Sequence, residues 1–199
     1  MRRVAGNEGD TRKDPAAPAP FERTLIERAQ TGDAGALEQL AREAWAPSFV
    51  LARAILADET TAQDIAQEAV LAALGALGGF DVKRPFAPWL HRITMNCCRD
   101  AQRRTGARPP LTNAGPHEYE DSQAADTGGL PDHLREALLA LSVEQRAAVV
   151  LRHLFDLSAA EIAASLQTTE VNARTLIHRG LAQLRQRLQS THPAEEASK

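Results

Sequence analysis

The side chains best suited to contact a charged polymer lie near the carboxyl end of the chain. Five hydrogen-bonding residues recur there at helical spacing: Asn172, Arg174, Thr175, His178 and Arg179. Such side chains bind phosphate oxygens and the exposed edges of bases. The pattern therefore predicts DNA recognition, although an ordinary helical hairpin with a solvated basic face would have the same residues.

Two short helices are predicted to position these donors. Ser158 and Glu161 have the spacing of a capping box, which starts the first helix. Gln167 and Thr168 form the turn, and Thr169 is the expected N-cap of the second helix. One face of the second helix is expected to be buried through Ala173, Ile177, Leu181 and Leu184. A helix-turn-helix of this kind can lay its second helix in the major groove.

A second basic stripe lies on a helix predicted over residues 86–104. Its polar side carries Arg92, Asn96, Arg99 and Arg103, whereas Phe86, Leu90, Ile93, Cys97 and Ala101 are expected to face the core. A loop with two aromatics and two prolines, residues 80–88, comes just before it. Cations beside aromatic rings suit single-stranded or melted nucleic acid. A merely solvated helix face is the alternative.

An acidic face precedes this basic stripe. Asp64, Gln67 and Glu68 fall on one side of a predicted helix, and no Lys or Arg occurs between Arg53 and Lys83. Such a face is either a solubility device or a docking surface for a basic partner helix.

Composition limits the fold and the function. The chain has 199 residues, of which 43% are hydrophobic and only 4% aromatic, so the cores must consist mainly of Ala, Leu, Ile and Val. This favours an all-α fold of two small helical domains. No apolar run approaches the length of a membrane span and no signal peptide is recognisable, which predicts a cytoplasmic protein. No cofactor is expected, and the adjacent Cys97 and Cys98 have neither metal-ligand nor disulfide-framework spacing.

The net charge of -3 is unusual for a protein that binds DNA unaided. Basic residues are concentrated between residues 83 and 108, and acidic ones between residues 117 and 136. This segregation indicates that a larger partner presents the chain to DNA.

Breaks in the helical pattern divide the chain into segments. We predict a disordered leader over residues 1–20, a helical domain over 21–104, an acidic linker over 105–129, a second domain over 130–188 and a polar tail over 189–199. Within the first domain, Asp33 is expected to cap one helix, Pro47 to open the next, and Thr60 or Thr61 to cap a third. The pair Gly78-Gly79 is expected to end that third helix.

Several of these motifs, in this order, resemble the extracytoplasmic-function (ECF) branch of the bacterial sigma factors. Four stretches resemble region 2 of these proteins: Asp64-Ile-Ala-Gln-Glu68, Phe80-Asp81, the run from Arg84 to Ile93, and Asn96 with Asp100–Arg104. Three stretches resemble region 4: Leu138–Leu154, Leu157-Ser158 and Glu161-Ile-Ala163. Several motifs in the right order are more specific than any one of them.

The resemblance implies a role for each surface. Asp64, Gln67 and Glu68 would bind the β′ subunit of core RNA polymerase, and the linker would thread through the enzyme. The minus-ten element would be recognised and opened by Phe80, Lys83, Arg84, Phe86, Trp89, Arg92, Asn96, Arg99 and Arg103. The minus-thirty-five element would be read by Asn172, Arg174, Thr175, His178 and Arg179. The implied partners are the β′ and β subunits of core RNA polymerase, promoter DNA and, as is common in the family, an anti-sigma factor.

Two other functions stay open at this point. A stand-alone helix-turn-helix regulator with a helical partner-binding domain would share the carboxyl-terminal motif. An enzyme is less well supported, because these positions offer no nucleophile-base pair, metal cluster or phosphate loop.

In the family a glycine often stands at the position of Gln167, and a basic residue is common at the position of Leu176.

Overall fold

A computed structural model of the chain describes residues 20–104 and 131–191, and its secondary structure there is helical throughout. The first unit contains α1 (Pro20–Gln30), α2 (Ala34–Ile55), α3 (Glu59–Ala76), a 3-10 turn (Leu77–Gly79) and α4 (Phe86–Arg104). The second contains α5 (Asp132–Leu139), α6 (Val143–His153), α7 (Ala159–Leu166) and α8 (Glu170–Thr191). The all-α prediction is confirmed, and the predicted linker lies outside the described residues.

Side-chain caps fix most of the helix starts. Asp33 accepts a hydrogen bond from the Ala36 amide, and Ser158 and Glu161 form the predicted capping box of α7. A second capping box, between Ser142 and Gln145, starts α6. Capping satisfies amide groups that have no partner within the first turn of a helix. These short polar motifs therefore determine where the chain enters each helix.

Two predicted helix starts in the first unit are wrong. Pro47 does not open a helix but lies inside α2, because the buried positions Ala44, Ser48 and Leu51 continue one stripe across it. A proline removes one backbone donor from a helix, and packing can outweigh that loss. The cap of α3 is Asp58 rather than Thr60 or Thr61, since its carboxylate accepts from the Thr61 amide and hydroxyl at 2.6 and 2.5 Å.

The two units share one hydrophobic core. In the first unit, α2, α3 and α4 pack against one another, and in the second, α8 packs on α6 and α7. A continuous cluster of buried side chains runs from Leu51 and Ile65 through Met95 to Leu151 and Ile162, which joins α2, α3 and α4 to α6 and α7. The second unit therefore lies directly on the first, with α7 against α4 and α6 against α2.

A buried arginine connects the units by polar contacts. Arg146 of α6 is 4% exposed, and its guanidinium donates to the carbonyl oxygens of Leu138, Leu139, Leu141 and Ile55 at 2.6–3.1 Å. The first three carbonyls lie at or just beyond the end of α5, and that of Ile55 ends α2. Burial lowers the pKa of Arg146 to about 10, so the group remains charged at neutral pH. Its charge is balanced by carbonyl dipoles from both units.

Gly180 marks the closest approach of α8 to α6. A Cβ atom built at this position would lie 2.7 Å from Cγ2 of Val149 and 3.3 Å from the carbonyl oxygen of Gln145. Val149 is itself buried beside Leu138 and Leu141. Glycine thus allows the two helices to come closer than any residue with a side chain would.

Replacing Gly180 with alanine should destabilise the protein by about 1–2 kcal/mol, because the overpacking outweighs alanine's better helix propensity. Urea unfolding measures the change. Gly75→Ala is the matched control: it is also helical but has no atom within 4 Å of the added Cβ, so it should not destabilise. Val149→Ala removes the nearest clashing methyl group but also costs core packing, so the two substitutions together should destabilise the protein by less than the sum of the single losses. Additive losses in this double-mutant cycle would contradict the explanation.

Candidate polymerase and nucleic-acid interfaces

The acidic residues of α3 form an exposed face. Asp64, Gln67 and Glu68 all project into solvent, while Ile65, Ala66 and Ala69 between them are buried. Leu71, 62% exposed, extends the same side by one more turn. Sequence analysis missed Leu71, although its spacing from Asp64 and Glu68 by seven and three residues could have identified it. An exposed leucine beside carboxylates suits a partner helix that carries both basic and apolar residues.

The basic stripe of α4 lies near the acidic face. Arg92 and Arg103 are exposed, whereas Asn96 and Arg99 are half-buried. Arg103 pairs with Asp100 at 3.2 Å, and Arg104 pairs with Glu68 at 3.2 Å. Exposed pairs of this kind contribute little to stability. They do, however, show that the acidic face of α3 and the basic end of α4 are adjacent.

Three aromatic rings support the loop before α4. Phe80 and Phe86 are buried and Trp89 is half-buried, with ring centroids 4.7–5.5 Å apart. Lys83 and Arg84 are exposed in the loop, in a turn where the amide of Lys83 donates to the Asp81 carboxylate at 2.9 Å. The two phenylalanines thus belong to the core of the first unit, and the cationic side chains are the accessible part of the loop.

A cavity of about 360 Å³ lies between this loop and α7. Phe80, Arg84, Trp89 and Arg92 line one side of it, and Ala160, Glu161 and Ala164 of α7 line the other. The cavity is large enough for an aromatic ring and has both a stacking surface and two cations. The predicted minus-ten residues thus form one wall of this cavity, and the second unit forms the other.

The second helix of the helix-turn-helix exposes its predicted DNA-binding residues. Ala173 is fully buried, which turns the opposite side of α8 outward, and the Thr169 hydroxyl accepts from the Asn172 amide at 3.2 Å as the expected cap. On the outward side Asn172, Arg174, His178 and Arg179 are exposed and Thr175 is half-buried. The Arg174 guanidinium bonds to the Glu170 carboxylate one turn earlier, which holds it along the helix.

Val171 is an exposed apolar residue on the same side of α8. It is 72% exposed, and its carbonyl accepts from the Thr175 hydroxyl at 2.9 Å. The sequence pattern that predicts DNA binding consists of hydrogen-bond donors, so it does not include this apolar residue. Apolar side chains at the start of a recognition helix contact the methyl group of thymine.

His91 lies at the contact between the two units. It is 1% exposed, neither ring nitrogen has a hydrogen-bond partner, and its ring packs on Phe155 with centroids 4.5 Å apart. Burial lowers the pKa of His91 from 6.5 to about 4, because a charged imidazole would lose its hydration there. The contact therefore depends on a neutral ring.

Acid should weaken the folded chain through His91. Between pH 6.5 and pH 4 the unfolded chain binds a proton that the folded chain excludes, so stability falls as pH falls through this window. From pH 7.5 to pH 5 the loss through His91 should be about 2 kcal/mol. The variant His91→Phe keeps a ring against Phe155 but has no group that titrates there. Its free energy of unfolding in urea should therefore fall by about 2 kcal/mol less than that of the parent protein between the two pH values. An equal pH dependence in both proteins would contradict the argument.

Comparing His91→Phe with the parent protein also cancels the effect of Glu22, which opposes that of His91 in acid. Burial raises the pKa of Glu22, which lines a cavity together with His91, Glu43 and Phe155. Protonation of Glu22 in acid favours the folded chain, but it occurs in both proteins. The difference between them therefore isolates His91.

The two cysteines are buried in α4 without a disulfide. Burial raises the pKa of the Cys98 thiol to about 12 and also raises that of Cys97. Thiols with a raised pKa are poor nucleophiles and poor metal ligands. Among the described residues no group of His, Cys, Asp or Glu side chains could hold a metal ion.

Known protein families match both units of the chain. The family model for Sigma-70 region 2 matches residues 49–108, and that for Sigma-70 region 4 matches residues 132–184. The RNA polymerase sigma-H factor of Pseudomonas aeruginosa is 31% identical over 169 residues, which cover 78% of this chain and 87% of the relative. The ECF RNA polymerase sigma factor SigM of Mycobacterium tuberculosis is 34% identical over 155 residues, 77% of each chain.

The chain belongs to the ECF family of RNA polymerase sigma factors. The first unit is thus sigma region 2 and the second is region 4. As a sigma factor it binds core RNA polymerase, recognises the minus-ten and minus-thirty-five elements of promoters and promotes DNA opening for transcription initiation. The stand-alone regulator considered above is set aside, because both sigma regions are matched in their family order.

Solved structures agree with this assignment. CnrH, determined in complex with the cytosolic domain of CnrY, has a TM-score of 0.65 and 27% identity, with 85% of this chain and 98% of CnrH covered. The sigma factor RpoE of Bartonella quintana, in complex with the anti-sigma factor NepR, has a TM-score of 0.61 at 18% identity and supports the fold alone. In the part of this sigma factor that the structure describes, no helix is long and apolar enough to cross a membrane.

Proposed function

We propose that three separate surfaces of this sigma factor divide the work of promoter recognition. Residues 21–104 act as region 2, which binds core polymerase and the minus-ten element, and residues 130–188 act as region 4, which binds the minus-thirty-five element. The observation that carries the proposal is the segregation of exposed charge: carboxylates on α3, and cations on α4 and α8. The chain acts as a specificity subunit without catalytic activity of its own, in the cytoplasm, where polymerase and the nucleoid are found.

The acidic face of α3 is the proposed contact with the β′ subunit. Asp64 and Glu68 supply negative charge, Gln67 a hydrogen-bonding amide and Leu71 an apolar contact. Complementary charge accelerates association and selects the partner's orientation. The pairing of Glu68 with Arg104 is weak enough to be exchanged for a basic residue of polymerase.

The loop before α4 and the polar stripe of α4 are the proposed minus-ten surface. Lys83, Arg84 and Arg92 are the exposed cations, while the half-buried Trp89 offers part of a ring for stacking. Asn96, Arg99 and Arg103 continue the surface along α4. Phe80 and Phe86 serve it indirectly, because they are buried and hold Trp89 in place. Extruding a base takes a few kcal/mol, which polymerase contacts help to offset.

The outward side of α8 is the proposed minus-thirty-five surface. Arg174 and Arg179 can donate to guanine or phosphate, and Asn172 to adenine. Thr175, His178 and Val171 complete the same side. The salt bridge to Glu170 positions Arg174 before DNA arrives, which reduces the side-chain freedom lost on binding.

An anti-sigma factor is the proposed regulatory partner. CnrH and RpoE of Bartonella quintana were both determined with a bound protein, CnrY and NepR respectively. For the present sigma factor we propose the same class of partner, on the strength of its likeness to CnrH. Copurification with a protein encoded beside its gene would test this directly.

The division between α4 and α8 can be tested by pairing protein and promoter changes. Arg174→Ala should lower run-off transcription by about tenfold on a promoter selected by the holoenzyme from random DNA, because one bidentate base contact is worth about 1–3 kcal/mol. The loss should vanish on the same promoter with a scrambled minus-thirty-five element. Arg185→Ala, which removes an exposed arginine farther along α8, is the control and should have little effect. An equal loss from Arg174→Ala on both promoters would contradict the assignment.

A further inference from the structure

A second cavity, of about 330 Å³, is lined by helices α1, α2 and α4 of region 2 and by the turn between α6 and α7 of region 4. It shares no lining residue with the cavity beside Arg84 and Arg92. Much of its wall is apolar, with side chains from Leu40, Phe86, Leu90, Phe155 and Leu157. Small-molecule sites start at about 300 Å³ and combine an apolar wall with a few polar groups. The cavity therefore has the size and the apolar lining of such a site.

Three titratable side chains also line this cavity. Glu22 of α1 and Glu43 of α2 supply carboxylates, and His91 of α4 supplies an imidazole. Burial, and then repulsion by the Glu43 carboxylate, raises the pKa of Glu22, so the two carboxylates act on each other. Glu43 accepts from the Gln39 amide at 2.9 Å, which uses only part of its capacity, because a carboxylate has two oxygens. The described residues that line the cavity include no Lys or Arg that would neutralise these charges.

His91 is the lining residue whose polar atoms lack partners. It is 1% exposed, and neither ring nitrogen has a hydrogen bond, although a neutral imidazole offers one acceptor and one donor. Buried polar groups nearly always have a partner, because an unpaired one loses its hydration without compensation. One water takes up about 30 Å³, which is a small part of this cavity. A larger polar molecule can therefore reach the ring.

Pro47 adds an acceptor on the same side. It lies inside α2 and lines the cavity, and it has no amide hydrogen to donate to the carbonyl oxygen of Glu43 one turn earlier. That carbonyl thus lacks its usual helical donor. The polar groups around the cavity are therefore mostly hydrogen-bond acceptors, and two of them are carboxylates.

We propose that this cavity binds a small organic cation, namely a protonated primary amine on an apolar body. An ammonium group brings a positive charge and three N–H donors, which suit the carboxylates of Glu22 and Glu43 and a neighbouring uncharged acceptor. The apolar body would pack on Leu90 and Phe155. A metal ion does not suit the site, because among the described residues no group of His, Cys, Asp or Glu side chains could hold one. The proposal does not depend on the DNA-binding roles given above.

Phenethylamine and 2-phenylethanol test the role of charge, because they share one carbon skeleton. NMR titration of the isotope-labelled full-length chain measures the affinity of each compound and locates it. Phenethylamine should bind at least about tenfold more tightly than 2-phenylethanol, because charge-assisted hydrogen bonds are stronger than neutral ones. It should shift the ring nitrogens of His91 and the backbone amides of Phe155 and Leu157. Hexylamine should also bind, since the proposed class is defined by its ammonium group and not by an aromatic ring.

Substitutions at the lining residues connect the affinity to the cavity. Glu43→Gln keeps the size of an exposed side chain and removes its charge, so it should weaken phenethylamine binding about tenfold and leave 2-phenylethanol binding unchanged. Glu38→Gln is the matched control, because Glu38 is an exposed acid of the same helix that pairs with Arg42 and does not line the cavity. His91→Phe keeps a ring but has no ring nitrogen, and it should weaken phenethylamine binding about fivefold.

Two results would overturn the proposal. One is that neither amine binds at concentrations up to about 10 mM, or that amine and alcohol bind equally, since the carboxylates would then not select a cation. The other is equal weakening by Glu43→Gln and Glu38→Gln, which would mean that the amines respond only to the overall negative charge of α2.

Discussion

Reversal of both Asp64 and Glu68 to arginine should weaken binding to core RNA polymerase by about 100-fold or more. Like charges across an interface are unfavourable by several kcal/mol, and about 2.7 kcal/mol corresponds to 100-fold in affinity. Both side chains are exposed at the surface of α3, so the change should leave the fold intact. Binding to immobilised core enzyme and run-off transcription should fall together.

The control for this prediction reverses two other exposed acids. Glu27→Arg with Glu38→Arg changes the net charge by the same amount on α1 and α2. Glu38, like Glu68, has an exposed arginine partner, here Arg42 at 3.0 Å, so the loss of a surface pair is matched. If both double variants lose polymerase binding equally, then overall charge rather than the α3 face is responsible.

Replacing Arg146 with methionine should destabilise the protein by about 3 kcal/mol, because buried carbonyl oxygens lose a charged donor. The carbonyl of Ile55 belongs to region 2, whereas those of Leu138, Leu139 and Leu141 belong to region 4. This loss of stability should lower the melting temperature by on the order of 10 °C. Differential scanning calorimetry measures both the temperature and the enthalpy of the transition.

Arg152→Met provides the comparison within the same helix. Arg152 is exposed and donates to a single carbonyl, that of Leu157, at 3.0 Å. Its replacement should lower the free energy of unfolding by less than about 1 kcal/mol. Similar losses for the two variants would mean that the buried hydrogen bonds of Arg146 are not the cause.

The local features of this fold could be predicted because short stretches of sequence determine them. The bounds of α4 match the prediction, since an aromatic and proline-bearing loop precedes it and two residue stripes run its whole length. The capping box of α7 needs only Ser158 and Glu161. Asp64, Gln67 and Glu68 are exposed as predicted because the apolar residues between them determine which side is buried.

The contact between the regions could not be predicted in this way. Arg146 looked like any polar residue of an amphipathic helix, and its four acceptors come from segments up to 91 residues away. His91 of region 2 and Ser165 of region 4 are both buried where the two regions meet, His91 against Phe155 and Ser165 near the Pro88 carbonyl. Pro47 was interpreted as a helix start because local propensity disfavours it within a helix, while packing on both sides of it decides the outcome.

Two aromatic residues of the predicted minus-ten surface are buried in the structure. The resemblance to sigma region 2 places Phe80 and Phe86 with the cations of the minus-ten surface. In the fold their rings pack against each other and against Trp89, at 5.5 Å and 4.7–5.4 Å. A motif shared with a family does not distinguish a ring that contacts DNA from one that supports the loop.

The most direct test of the account is run-off transcription with purified core RNA polymerase on a promoter that carries both elements. We expect a transcript when the full-length chain is added to core enzyme, none from core alone, and a strong loss when either element is scrambled. Failure of the chain to bind core enzyme, or initiation that is indifferent to both elements, would contradict its assignment as the promoter-specificity subunit.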